Sequence, residues 1–264
     1  MNTTLRFWLR RGISAAGLAE FFLLLRDNVF PAGRRHKVLS LSFYSQFVQP
    51  ESLCFDVGAH VGDRVDTFLH LGAKVIAIEP QARCVRYLKL RFGRNTRVTI
   101  IPQGLAEKDG SHVIYLNRES SMSSMSTEQI AQTVNRPMFS KDRWDRSVTV
   151  QVTTLDQLIK LYGEPVFCKI DVEGFESQVL KGLSRPLKAL SYEYMPENID
   201  NAITCTARLA SLGIYEFNYS VAETLTWAAQ TWTSADEMIA KLAELAHADS
   251  GGDVYARIIT KPTQ

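Results

Sequence analysis

The run Cys54-Phe55-Asp56-Val57-Gly58-Ala59-His60-Val61-Gly62 is the feature that most constrains this chain. An apolar strand ends in a glycine-bearing turn, and a helical pattern follows, with Val65, Phe68 and Leu69 at helical spacing. A second apolar run, Val75 to Ile78, ends on Glu79, about where a carboxylate downstream of such a turn can take a ribose diol. The pair predicts a strand-helix-strand unit that opens its carboxyl edge to a nucleotide-like ligand.

The alternation continues. Helix Arg83 to Phe92 precedes strand Val98 to Ile101, which closes at Pro102-Gln103-Gly104. Strand Val166 to Ile170 emerges into Asp171-Val172-Glu173-Gly174, a helix runs from about Phe175 to Leu183, and strand Ala189 to Tyr194 carries Glu193 near its end. Helices are also expected at Val38–Val48, from the Thr154 capping box to Leu161, at Asn201–Leu212, and at Ser234–Ala246 with its Ser234/Glu237 box. Final strands are expected at Tyr215–Phe217 and Val254–Ile259. Strands separated by helices imply right-handed crossovers and a mostly parallel sheet covered on both faces.

Between residues of about 111 and 152 the pattern changes. His112–Leu116 and Ser147–Val152 read as strands, the second strictly alternating and so half exposed, and the run Ser120–Ser126 lies between them. We expect an insertion whose serine-rich part is a mobile surface loop, the kind of segment that also forms lids. The domain is expected over residues 51–264, preceded by a basic helical arm over 1–50.

The glycine spacing bears on the ligand. A pyrophosphate cradle needs G-x-G-x-x-G, so that backbone N–H groups meet phosphate at a helix start, whereas this turn reads D-x-G-x-x-x-G. The strand ends present Asp56, Glu79, Gln103, Asp171 with Glu173, and Glu193. Carboxylates repel phosphates, but they suit a sulfonium, an ammonium and a ribose diol, which together describe S-adenosylmethionine. A nicotinamide-dependent oxidoreductase and a non-catalytic binding protein on the same topology are the alternatives.

At 264 residues and 45% hydrophobic content the chain can bury a large core. Its net charge of +2 does not point to nucleic acid, and no nucleic-acid partner is expected. Residues 1–37 hold Arg6, Arg10, Arg11, Arg26, Arg34, Arg35 and Lys37 against Glu20 and Asp27, so the positive character belongs to the arm and the remainder is slightly acidic. With Phe7, Trp8, Phe21 and Phe22 beside those arginines, the arm either caps the domain or a partner subunit, or rests on an anionic membrane surface. Cys54, Cys84, Cys168 and Cys205 show no C-x-x-C pairing and no histidine at zinc-ligand spacing, so no metal ligand is assigned and a reduced, cytoplasmic protein is expected.

These residues carry a resemblance. The D-x-G-A-x-x-G turn at Asp56–Gly62, the Ile-Glu-Pro at 78–80, the Lys-Ile-Asp-Val-Glu-Gly block at 169–174 followed by Glu176 and Leu180, and the late strand with Glu193 resemble the FkbM-type family of S-adenosylmethionine-dependent methyltransferases. The resemblance covers about residues 50–195. It implies a class I methyltransferase fold, a Rossmann-like three-layer sandwich whose seven-stranded sheet has an antiparallel last strand. It also implies O-methylation of a hydroxyl on a sugar, glycan, glycolipid or natural product. By position it implies that Asp56, Gly58, Ala59 and Gly62 shape the pocket for the methionine half, that Glu79 with Pro80 takes the ribose, that Gln103 and Gly104 lie near adenine, and that Asp171 sits where donor amine and acceptor meet. His60 takes no role from it.

The mechanism follows from the chemistry. Transfer from a sulfonium is an in-line displacement, so alignment supplies most of the acceleration. A sugar hydroxyl is a weak nucleophile, and a positioned base adds roughly 10² to 10⁴. Asp171, Glu173 and Glu193 are the candidates, and Lys169 is expected to pair with these carboxylates.

Overall fold

The structure is a computed structural model that describes residues 31–117, 123–127, 130–131 and 146–259. Most of the expected arm therefore lies outside the described residues. By its internal contacts the chain falls into two units, residues 1–42 and 43–264, and the second holds the sheet.

Helix α1 spans Pro31–Tyr44, starting earlier than its apolar pattern suggested, with proline at its first position where a missing N–H costs nothing. Strand β1 is Leu53–Val57, α2 Asp63–His70, β2 Lys74–Ile78, α3 Ala82–Phe92 and β3 Val98–Ile101. Strands β4 (Gly104–Leu105), β5 (Gly110–Leu116) and β6 (Arg146–Thr153) follow, then α4 (Leu155–Tyr162), β7 (Phe167–Ile170), α5 (Glu176–Lys181) and β8 (Ala189–Tyr194). A single turn of 3-10 helix, Pro196–Asn198, leads into α6 (Ile199–Leu212), and β9 (Tyr215–Val221), α7 (Ala235–Leu245) and β10 (Gly252–Ile258) complete the chain.

The main sheet has the order β3-β2-β1-β7-β8-β10-β9. Its first five strands are parallel, and β10, the last in sequence, runs antiparallel between β8 and β9. This is the expected class I methyltransferase sheet. The order reverses between β1 and β7, which places the ligand crevice of an open α/β sheet outside their carboxyl ends.

Strands β1, β2 and β7 are buried on both faces, which is why they read as continuous apolar runs. One core lies on the side of α4 to α7 and includes Phe55, Val57, Ile170, Leu180 and Leu209. The other includes Tyr44, Phe68, Leu88, Phe167 and Tyr255. Because side chains alternate along a strand, Asp56 between Phe55 and Val57, and Lys169 between Cys168 and Ile170, face this second core. Both are buried.

The insertion forms a second sheet, β4-β6-β5, with β5 and β6 antiparallel. Within the serine run the structure corrects the expectation of a mobile surface loop. Ser123, Ser124, Met125 and Ser126 are buried, and Ser124 forms an antiparallel bridge with Tyr115 of β5. Short hydroxyls make this burial possible by satisfying the backbone locally, since Ser123 Oγ accepts from Asn117 N and Ser124 Oγ from Ser126 N. Ser120 to Met122 lie outside the described residues. Among the described residues no helix is long and apolar enough to cross a membrane.

Candidate functional site

A cavity opens at the carboxyl ends of β1, β2 and β7. Gly58, Glu79, Pro80, Gly104 and Asp171 line it, as does Glu173. The insertion supplies Ile114, Ser123 and Met125 to its lining, so the serine run is part of the site. The methionine amid those serines was the available signal for burial.

The glycine turn is shaped by packing. Gly58 has φ +82°, and a Cβ there would lie 1.7 Å from the carbonyl oxygen of Asp171, so the turn after β1 presses directly on the turn after β7. Its N–H and that of Ala59 both donate to Ile78 O. Gly62, φ +87°, lies against Phe92 and Leu88 of α3 and does not line the cavity. Neither do Ala59, Asp56, Gln103 and Glu193.

Glu79 is the best-held group in the cavity. Its Oε2 accepts the backbone N–H of His60 at 2.8 Å and its Oε1 that of Gln81 at 2.8 Å. His60 reaches it in the left-handed region, φ 45°, so its backbone has a role that its side-chain identity could not reveal. Burial pushes the Glu79 carboxyl up to about 7, against the pull of the two amides. Asp56 is likewise pushed up to about 7 by burial, countered by Lys169 and Arg64, and its Oδ2 has no hydrogen-bond partner.

The turn after β7 is fixed from two sides. Glu176 Oε1 accepts the N–H groups of Val172 and Gly174 at 3.0 and 3.2 Å, while Ser124 Oγ donates to the carbonyl of Glu173. These bonds hold Glu173 at φ 55°, a conformation a glutamate adopts only when its surroundings over-determine it. Oxygens of Asp171, Glu173 and Glu193 consequently lie within 4.8 Å of one another, close enough for each charge to act on the others and for the three to hold one hard divalent cation. Burial first, then the charge of Asp171 on Glu173 and the charges of Glu173 and Asp171 on Glu193, push both well above the usual carboxylate range.

Lys169 Nζ lies 3.2 Å from Asp171 Oδ2 and 2.6 Å from Oδ1 of Asp253. Asp253, at the start of β10, was not singled out in the sequence. A lone acid opening an apolar strand was its only signal.

The site can thus hold a ribose diol at Glu79, keep a sulfonium or ammonium near carboxylates, and accept a proton from a neighbouring hydroxyl. The family model described as Methyltransferase FkbM domain matches residues 56–246. No curated protein sequence matches the chain. Among solved structures, precorrin-6y C5,15-methyltransferase of Geobacter metallireducens GS-15 is 9% identical, with 84% of this chain and 87% of that one covered at a TM-score of 0.45. SMU.1697c of Streptococcus mutans, solved in complex with SAH, is 12% identical over 84% and 96% of the two chains, with a TM-score of 0.41. The SAM-dependent O-methyltransferase TM0748 of Thermotoga maritima is 10% identical over 89% and 68%, with a TM-score of 0.39.

Proposed function

The chain belongs to the FkbM-domain methyltransferases, with S-adenosylmethionine as methyl donor, and from that premise we propose that it O-methylates a hydroxyl of a sugar, glycan, glycolipid or natural product. The observation that carries this reading is the cluster of Asp171, Glu173 and Glu193, of which Asp171 and Glu173 line the cavity that Glu79 also lines.

The donor fits the groups present. Glu79 uses one lone pair of each oxygen on a backbone amide, which fixes its carboxylate and leaves further lone pairs for two ribose hydroxyls. No phosphate cradle is needed, and the acidic wall favours a cationic ligand. When bound, S-adenosylmethionine supplies a methyl group on a positively charged sulfur. Asp171 would meet the donor amine or the acceptor, and the Glu173/Glu193 pair, raised above ordinary carboxylates by burial and neighbouring charge, would take the acceptor proton. A donor held there would pass its methyl to the acceptor oxygen and be left as a neutral thioether, and the carboxylate cluster would hold the proton.

The test is incubation with methyl-labelled donor and fractionated cell-envelope glycans. An alkali-stable labelled ether supports the proposal. Label released by mild alkali, as from a methyl ester, or label confined to nucleic acid, contradicts it.

A further inference from the structure

We propose that Lys169 and Asp253 form a positioning pair for Asp171, which makes the antiparallel last strand a working part of the transfer site; this rests on the methyl-transfer reading above. Lys169 is buried, with its side chain 3% exposed, and its ammonium bridges two carboxylates of different character. Asp253, 9% exposed in its side chain, takes the short contact at 2.6 Å, while Asp171, 38% exposed, takes the longer one at 3.2 Å where the cavity begins.

The geometry argues for a function beyond neutralisation. A buried ammonium needs a partner, and Asp253 alone supplies one. The lysine head is a compact charge with three donors on a flexible stem, so a single contact would leave it free to swing. Asp253 pins it from β10, where its Cα pairs with that of Glu193, and Tyr255 Oη lies 3.4 Å from its other oxygen. The pinned ammonium then reaches Asp171, which stands beside two further carboxylates within 4.8 Å. Without that cation, nothing would hold the Asp171 carboxylate toward Lys169, and crowding with Glu173 and Glu193 would turn it away. Of the three, Asp171 is the one this ammonium bonds, so it is distinguished from the other two by hardware drawn from β7 and β10 together.

The test compares Lys169→Met, Asp253→Asn and the double variant. Lys169→Met leaves Asp253 buried without its cation and lowers the melting temperature. The double variant removes both buried charges and recovers most of that loss. Turnover of labelled donor with the envelope-glycan extract is expected to stay down on the order of 10²-fold in the double variant, because alignment is still lost, while its calorimetric Kd for S-adenosylmethionine changes only a few-fold. Independently of any acceptor, a crystal structure of the double variant is expected to show the Asp171 carboxylate turned from the place it holds in the parent. A double variant that regains turnover along with stability overturns the inference, as does an Asp171 carboxylate that keeps its parent position. A protein whose Asp171 turns as expected but which labels no extract supports the positioning pair and counts against the acceptor class alone.

Discussion

Glu79 Oε2 accepts the backbone N–H of His60 at 2.8 Å, and this bond ties the end of β2 to the turn after β1. The carboxylate is thereby oriented before any ligand arrives. Replacing Glu79 by Gln keeps the shape but loses charged hydrogen bonds to a diol, each on the order of 1.5–3 kcal/mol. Donor affinity is expected to fall about 10- to 100-fold. Isothermal calorimetry with S-adenosylmethionine checks this, and an unchanged Kd would move the ribose site elsewhere.

Asp56 and Glu79 contribute to the pH dependence of stability. Burial raises each from its ordinary value, 3.8 and 4.5 respectively, to about 7, so between those values the folded protein binds more protons than the unfolded chain. Stability from these groups is full below the ordinary values and is lost as pH rises through about 7, by on the order of 3 kcal/mol for each. Urea unfolding across that window should show the decline, and Glu79→Gln should make it shallower. Stability that rises through the same window would contradict the burial of these acids.

Gly58→Ala brings a methyl group to 1.7 Å from Asp171 O at φ +82°. The turn must open, and destabilisation of more than about 3 kcal/mol is expected. A thermal unfolding midpoint within a few degrees of the parent would show that the two turns are not in contact.

Asp171→Asn preserves size while removing the charge that the proposed reaction sets beside the acceptor. Turnover is expected to fall by about 10² or more, with donor affinity reduced far less. Equal losses in both, measured by steady-state labelling and calorimetry, would make Asp171 a donor ligand only.

Much of this arrangement was legible because buried parallel strands are unambiguous in sequence. The runs ending at Val57, Ile78 and Ile170 placed β1, β2 and β7, and hence the acids that follow them. What escaped was carried by backbone geometry or by distance along the chain. His60 acts through its N–H, and Gly58 is required by a carbonyl more than a hundred residues away. Ser123 to Ser126 read as solvent-facing because serine is polar, yet their hydroxyls satisfy neighbouring N–H groups and permit burial. Asp253 meets Lys169 only because β10 turns back beside β8. No local pattern encodes that pairing.

The most direct measurement is a crystal structure of the full chain grown with S-adenosylhomocysteine. The expected result is the product in the cavity between Gly58 and Met125, with its ribose diol within hydrogen-bond distance of Glu79 and its sulfur on the side of Asp171. A ligand bound elsewhere, or one whose ribose turns away from Glu79, would contradict the assignment of this cavity as the methyl-transfer site.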